Sequence, residues 1–202
     1  MQVSINGNTI QEYFGGAENL EEVLVKLSKT ALPKDHLIGS VNINGRPYTE
    51  LYPGQSREIP LSKIHDIQVT TVSLQQFAEA AVKDAPNFIA RMCEHCHDTA
   101  DSFRMYDETD AHQKFADLLE ALRALIHFIN NVRSALGWNF QKMQYQGESV
   151  SMRWAKYMEV IDELKNIQEE GDLILLADII EYEIIPLLED WKKIFSENSV
   201  TQ

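Results

Sequence analysis

The second half of this chain repeats itself at a fixed offset of 61 residues. The segment 116–120, Ala-Asp-Leu-Leu-Glu, returns as Ala-Asp-Ile-Ile-Glu at 177–181, and the same offset places Phe103 on Leu164 without a gap. Self-similarity of this kind is typical of two copies of one supersecondary unit that bury a shared core together. The repeat therefore predicts a compact half made of two similar helical hairpins.

Apolar residues recur at helical spacing across residues 73–202, which predicts helices with one apolar side each. We predict a four-helix up-down bundle over this range, with its hairpins at about 73–136 and 150–196. On the first of these helices, the large side chains of Phe77 and Phe88 are expected to point toward the core.

Residues 1–72 have the patterning of a small sheet domain. Apolar and polar residues alternate around Asn6 and Asn44, each followed by Gly, which is a strong signal for a hairpin turn. An apolar stripe at helical spacing occupies 17–32, and a last strand is expected at 67–71. The element order β-β-α-β-β resembles the ubiquitin-like β-grasp fold, which implies one helix covering a mixed sheet. The class of the whole chain is therefore predicted to be α+β.

Two sequence marks of active β-grasp proteins are missing from this part of the chain. No terminal Gly-Gly is available for conjugation or sulfur carriage, because the sequence continues into the predicted helices, and no ferredoxin-type set of cysteines is present. The resemblance then implies a docking platform, which is an analogy from fold and not evidence from a site.

The chain carries a net charge of −13, and most of it falls on the helical half. Residues 1–72 hold 6 Lys and Arg against 8 Asp and Glu, so −2 of the total lies there and −11 in the remainder. An acidic surface repels phosphate backbones, and no basic stripe is present, so we expect no nucleic-acid binding. The excess of carboxylates either serves solubility or attracts a basic protein partner.

The sequence also indicates where the protein is found. Its first residues, Met-Gln-Val-Ser-Ile-Asn-Gly, have no charged n-region and no apolar h-region, so we expect no signal peptide. No apolar run reaches the roughly 20 residues of a membrane span. The two cysteines lie close together and make no disulfide framework. These features predict a cytoplasmic protein that does not associate with membranes.

The last predicted helix is apolar on two sides. One stripe faces the bundle core, and a second is formed by Ile174, Ile184, Leu188 and Phe195. A helix that is apolar on two faces is buried on two faces. We therefore predict that this second stripe binds a partner surface, either the sheet domain of the same chain or a second copy in a homodimer.

Glu183 falls on the inward stripe of that helix, and we include it among the predicted partner-binding residues. A buried carboxylate needs a basic partner or has a raised pKa. Two alternatives follow: a boundary position at which Glu183 pairs with Arg or Lys, and an enzyme that uses a buried Glu183 as acid or base.

A cluster of metal-binding residue types, Cys-Glu-His-Cys-His, occupies residues 93–97. It matches the C-x-x-C-H pattern of covalent haem attachment, and Cys93, Cys96 and His97 could also bind zinc. Against both sites, Cys96 lies on the predicted core stripe, whereas His97 lies roughly 100° around the helix from it. We predict no cofactor, and we keep a metal- or haem-binding bundle at this cluster as an alternative.

Other catalytic signatures are absent from the sequence. The paired carboxylates Asp117 and Glu120 return at the repeat offset as Asp178 and Glu181, but the first pair lies more than about 120° from the apolar centre of its helix. No Gly-rich phosphate loop, G-x-S-x-G elbow or H-E-x-x-H motif is present. We therefore predict that the protein is not an enzyme.

The segment 171–191, GDLILLADIIEYEIIPLLEDW, resembles the last helix of uncharacterised bacterial two-domain proteins with a helical-bundle C-terminal half. It is also similar in style to the small helical secretion chaperones of flagellar systems. The resemblance implies a bacterial cytoplasmic helper protein. Together with the doubly apolar helix and the acidic bundle, it predicts a non-catalytic protein-binding adaptor, or a chaperone-like protein.

Overall fold

The computed structural model of the chain describes residues 1–11, 14–105 and 108–198, with the side chains of residues 108 and 109 excepted. Over these residues it is a mixed α+β protein with a mixed five-stranded sheet and several helices. The chain separates into two compact units, Met1–Phe77 and Ala78–Gln202. We call the first the sheet unit and the second the helical unit.

The sheet unit is built on a mixed sheet. Its strands, among the residues described, are β1 (Gln2–Ile5), β2 (Asn8–Ile10), β3 (His36–Ile43), β4 (Arg46–Tyr48) and β5 (Asp66–Ser73). They lie in the order β2-β1-β5-β3-β4, in which β1 is parallel to β5 and the other neighbours are antiparallel. The hairpins β1–β2 and β3–β4 turn at Asn6 and Asn44, which have φ of 50° and 51°, each followed by Gly at positive φ. Both predicted hairpin turns are confirmed.

One helix, α1 (Leu20–Thr30), packs its apolar side into the core of the sheet unit. Asn19 caps its first turn, because the Asn19 side chain accepts a hydrogen bond of 3.1 Å from the backbone N–H of Glu22. The Glu22 carboxylate in turn accepts one of 2.9 Å from the backbone N–H of Glu18, the residue before the cap. The buried side chains of α1 and of the strands that share this core are Leu20, Val23, Leu27, Val3, Val41, Ile67 and Val69.

The helical unit consists of long helices and one small hairpin. Its elements are α2 (Leu74–Arg104, which begins just before the unit), α3 (Glu108–Ala135), β6 (Gln144–Tyr145), β7 (Glu148–Ser149), α4 (Val150–Glu170), α5 (Leu173–Ile179), a π-helical turn (Ile180–Ile184) and α6 (Ile185–Asn198). We call α5, the π-helical turn and α6 together the last helix. Within the described parts of the chain, no helix has both the length and the apolar character needed to cross a membrane.

The core of the helical unit differs from the prediction at the start of α2. Phe77 and Phe88 are exposed, whereas Val82, Ala85 and Ile89 are buried, so the predicted inward positions of the two phenylalanines are wrong. At the start of α2, the buried positions are shifted by one residue in the sequence from the positions of the two phenylalanines. Small and β-branched residues therefore face the core in this part of α2. The size of a side chain did not indicate whether it is buried.

Burial in the helical unit follows the sequence repeat through its first part. Phe103 on α2 and Leu164 on α4, which are 61 residues apart, are both buried, and so are Phe115 on α3 and Leu176 on α5. Equivalent positions in the two halves therefore face the core up to the π-helical turn.

The π-helical turn changes the offset between equivalent buried positions of α3 and the last helix by one residue. A π turn has i→i+5 hydrogen bonds, so it contains one residue more than an α-helical turn. Beyond it, the positions that share burial are 62 residues apart instead of 61. These pairs are Leu122 with Ile184, Leu125 with Leu187, Ile129 with Trp191 and Val132 with Ile194.

Candidate functional site

The start of the last helix is positioned by a tight turn after α4. Gly171 ends α4 in the left-handed region, with φ of 75°, and its backbone N–H bonds to the carbonyls of Ile167 and Gln168. Asp172 then caps α5, because its carboxylate accepts a hydrogen bond of 2.9 Å from the backbone N–H of Leu175. The chain therefore restarts as a helix at once, and its first turn projects Leu175 outward.

The outward side of the last helix carries large apolar side chains. Ile174 is 44% exposed, Leu175 is 41% exposed and Tyr182 is 64% exposed. Ile174, Asp178 and Tyr182 follow one another at four-residue spacing and form one row, with Leu175 beside it. We call Ile174, Leu175, Asp178 and Tyr182 the outer face. Exposed apolar side chains of this size beside a buried stripe mark a candidate interaction surface.

Arg104, at the end of α2, is bound to the outer face. Its Nη2 lies 2.8 Å from Oδ1 of Asp178, and its Nη1 donates to Oε2 of Glu181. The guanidinium lies 6.0 Å from the centre of the Tyr182 ring, within the range of a cation–π contact. The hydrogen bonds to Asp178 and then Glu181 raise the pKa of Arg104 further, so this residue is always cationic.

The sequence around the outer face is rich in carboxylates. Between residues 166 and 191 it contains 8 Asp and Glu and no Lys or Arg. Basic residues outside this stretch pair with five of them in the structure, which are Asp178, Glu181, Glu183, Glu189 and Asp190. Two of these carboxylates, Glu169 and Glu170, are exposed in the last turn of α4, which has no basic residue. The C-terminal end of a helix carries partial negative charge, so carboxylates there are unfavourable. The two glutamates therefore work against the stability of their own helix.

The structure corrects three of the five predicted partner-binding residues. Ile184, Leu188 and Phe195 are fully buried in the core of the helical unit itself, whereas Ile174 is exposed. Residues of both predicted stripes are buried in the same core, so the last helix has one wide inward side and not two separate ones. Neither the sheet unit nor a second copy of the chain is needed to cover those three residues.

Glu183 is partly exposed and pairs with a lysine. Its side chain is 41% exposed and its Oε2 lies 3.2 Å from Nζ of Lys156 on α4. This arrangement is the boundary ion pair that we gave as one alternative. A cleft of about 690 Å³ in the same unit is lined elsewhere, by Asn130, Arg133, Ser134, Gly137, Trp138, Asn139 and Gln141. Glu183 therefore lacks the burial that the enzyme alternative requires.

The residues of the 93–97 cluster do not converge on a common point. Cys93 and Cys96 are buried, whereas His97 is exposed. His95 instead places its Nε2 3.1 Å from the backbone carbonyl oxygen of Lys114. Across the residues that the structure describes, no group of three or more His, Cys, Asp or Glu is arranged to hold a metal ion. The alternative ligand set of Cys93, Cys96 and His97 is therefore not formed, because α2 buries the two cysteines and turns His97 to solvent.

Burial also suppresses the chemistry of the two thiols. Burial, followed by the charge of Glu189, raises the pKa of Cys93 from 9.0 to about 11. Burial raises the pKa of Cys96 from 9.0 to about 12. Thiolate is the nucleophile and the metal ligand, so protonated thiols at neutral pH are packing residues.

We expect Cys96→Ser to lower the free energy of unfolding by about 1–3 kcal/mol, because it buries a hydroxyl in an apolar environment. Cys93→Ser is expected to change it by less than about 0.5 kcal/mol. At that position the Glu189 Oε1 atom lies 3.8 Å from Sγ and can accept a hydrogen bond. Urea unfolding of both variants measures the difference, and equal losses would contradict this assignment of the two thiols.

Two residues of the outer face, and the arginine bound to it, were missed by the sequence analysis. Leu175 and Tyr182 lie on neither predicted stripe, and Arg104 belongs to a distant segment of the sequence. The sequence does mark this segment, because Leu175 and Tyr182 lie in a stretch that contains 8 carboxylates and no basic residue. The pairing of Arg104 with this run depends on how α2 packs, and no local pattern indicates it.

Two family models match the chain, and each match lies within one unit. A domain of unknown function (DUF8042) matches residues 80–194, and a domain of unknown function (DUF8043) matches residues 2–72. Comparisons with curated proteins and with solved structures find no match. The outer face lies inside the first matched stretch.

Proposed function

The chain belongs to the family described as domain of unknown function DUF8042, and we propose that it is a non-catalytic, chaperone-like adaptor that docks a protein partner on the outer face. The observation that carries this proposal is the exposure of Ile174, Leu175 and Tyr182 on one side of a helix whose other side is fully buried. Surface aromatic and aliphatic side chains of this kind are the usual anchors of protein interfaces.

The proposal also covers the fold of each unit, because an adaptor needs a stable scaffold that presents its binding surface. The sheet unit is proposed to be a β-grasp-like domain, because its mixed sheet pairs β1 parallel with β5 and is covered by α1. The helical unit is proposed to be a four-helix bundle of two repeated hairpins, supported by the shared burial of equivalent positions. A rigid packed scaffold of this kind presents its outer face without having to order it on binding.

The acidic end of α4 supports the same proposal, because its carboxylates lower the stability of the free helix. Glu169 and Glu170 lie at the negative end of the helix dipole, with no basic residue in that turn. A local rule that is broken without compensation is expected at functional sites. A partner that brings positive charge to this turn would offset the cost.

We expect the double change Glu169→Gln and Glu170→Gln to stabilise the free protein by about 0.3–1 kcal/mol per residue, because it removes charge from the negative end of α4. Glu159→Gln, at an exposed position in the middle of the same helix, is the matched control and is expected to change stability by less than about 0.5 kcal/mol. Urea unfolding measures both. A double variant less stable than the natural protein would show that these carboxylates stabilise the fold.

The docking proposal is tested by photo-crosslinking in living cells. A benzoylphenylalanine placed at Leu175 is expected to give a discrete protein adduct that mass spectrometry identifies. The same group placed at Phe88, an exposed position on α2, is the control and is expected to give none. Adducts of equal yield from both positions, or none from Leu175, would remove the outer face as a docking surface.

A further inference from the structure

We infer that the cleft at the end of α3 binds the C-terminal end of a peptide, with the terminal carboxylate held by Arg133. The cleft has a volume of about 690 Å³, and its lining residues lie between positions 130 and 141. This volume is within the size range of small-ligand sites. The cleft shares no residue with the outer face, so the inference does not depend on the proposed docking function.

The lining of the cleft contains one cation, Arg133, and no carboxylate. The fold pairs other arginines with acidic side chains: Arg104 binds Asp178, and Arg153 binds Asp190. Within the described parts of the chain, no Asp or Glu forms such an ion pair with Arg133. Its charge is therefore left for an anionic ligand.

The guanidinium of Arg133 is held in place before any ligand binds. Its carbon atom lies 4.9 Å from the centre of the Phe140 ring, and Phe140 is buried. The turn that follows is fixed as well, because the backbone N–H of Trp138 donates a hydrogen bond of 2.9 Å to the carbonyl of Arg133. The backbone N–H of Met143 donates another of 2.9 Å to the carbonyl of Asn139. Groups that are already ordered lose less entropy on binding.

Two carboxamides in the lining complement a peptide backbone. Asn139 accepts a hydrogen bond of 3.1 Å on Oδ1 from the backbone N–H of Gln141, which leaves its own N–H groups to donate to a ligand. Asn130 donates one of 3.1 Å from Nδ2 to the carbonyl of Ile126, which leaves its Oδ1 to accept. A peptide bond offers one N–H and one C=O, so a donor and an acceptor beside Arg133 match it.

The charge of the cleft selects a carboxylate over a phosphate. Arg133 supplies one positive charge, and it lies in the last turn of α3, where the helix dipole adds partial negative charge. A phosphate group would bring close to two negative charges to this one cation. A carboxylate brings one, and its two oxygens fit the planar fork of a guanidinium. A carboxylate next to peptide groups is the end of a peptide chain.

The test follows peptide binding to the isotope-labelled full chain by nuclear magnetic resonance. The probe is N-acetyl-Gly-Gly-Ala with a free carboxylate, which is expected to shift the signals of the Gly137 backbone N–H and the Trp138 indole N–H in a saturable way. Both residues line the cleft. The same peptide with an amidated C-terminus is expected to bind at least about tenfold more weakly, because it loses the charge-assisted hydrogen bonds to Arg133. Acetate and inorganic phosphate are expected to bind more weakly than the free-acid peptide.

Arginine variants locate the binding. Arg133→Gln is expected to weaken the free-acid peptide at least about tenfold, and Arg133→Lys is expected to weaken it less, because the charge remains and the planar fork is lost. Arg123→Gln, at an exposed position of the same helix, is the matched control and is expected to leave the affinity unchanged. The spectrum of each variant shows whether it is folded, and the comparison of free-acid and amidated peptides needs no variant.

Four outcomes would overturn the inference. Equal affinity for the free-acid and amidated peptides would show that the carboxylate is not recognised. Acetate or phosphate bound as tightly as the peptide would show an anion site without peptide selection. Equal losses with Arg133→Gln and Arg123→Gln would place the binding away from the cleft, and no saturable shift would remove the cleft as a site. Crosslinking at Leu175 tests the proposed docking function separately from all four.

Discussion

Ile184→Glu is expected to unfold the helical unit, with a loss of more than about 4 kcal/mol in the free energy of unfolding. Ile184 is 0% exposed and lies in the core of that unit. A carboxylate forced into an apolar core loses its hydration, and without a partner it destabilises the fold by several kcal/mol. Chemical denaturation followed by circular dichroism measures the loss.

Ile174→Glu is the matched control, since it makes the same change on the same helix at a side chain that is 44% exposed. Its effect on stability is expected to stay within about 0.5 kcal/mol. The pair also decides between the two burial schemes for the last helix. If Ile184→Glu remained fully folded and only changed from a dimer to a monomer in size-exclusion chromatography, Ile184 would be covered by a second copy and not by its own unit.

Trp191→Ala is expected to lower the free energy of unfolding by about 3–5 kcal/mol, as for a large aromatic side chain removed from a packed core. The Trp191 ring is fully buried, and its centre lies 5.7 Å from that of Phe140, 5.8 Å from that of Trp154 and 5.7 Å from that of Phe195. Deletion of this ring leaves a cavity bordered by three other aromatic side chains. Urea unfolding measures the loss.

Two controls make this prediction specific. Trp191→Phe should cost less than about 1.5 kcal/mol, because it keeps most of the volume. It also removes an indole Nε1 that is buried and has no hydrogen-bond partner in the described parts of the chain. Asp117→Ala, at an exposed position of α3, should change stability by less than about 0.5 kcal/mol. Equal losses for Trp191→Ala and Asp117→Ala would mean that the facing of the helices is misassigned.

Features that depend on a few neighbouring residues were predicted correctly. The hairpin turns at Asn6 and Asn44 follow from the ability of Asn-Gly to adopt positive φ, which needs no tertiary contact. The buried side of α1 at Leu20, Val23 and Leu27 follows from the 3.6-residue period of a helix. In both cases the physical cause acts within one turn of the chain.

The candidate site was predicted less well, and the reason is the register of the last helix. The fixed offset of 61 places Glu183 on the equivalent of Leu122, an inward position, and the structure instead places Ile184 there. An insertion of one residue rotates all later side chains by about 100° relative to a strict repeat. Glu183 therefore lies at the boundary and pairs with Lys156.

The sequence by itself determined the class of each half, the turns, the helical segments and the acidic charge around residues 166–191, because these depend on composition and on local spacing. The tertiary structure decided which apolar residues of the last helix are exposed, because exposure depends on which side of that helix packs into the core of the helical unit. It also decided the partner of Arg104, whose contacts to Asp178 and Glu181 join residues 74 and 77 positions apart. Contacts over such separations form only when helices pack, so no local pattern in the sequence encodes them.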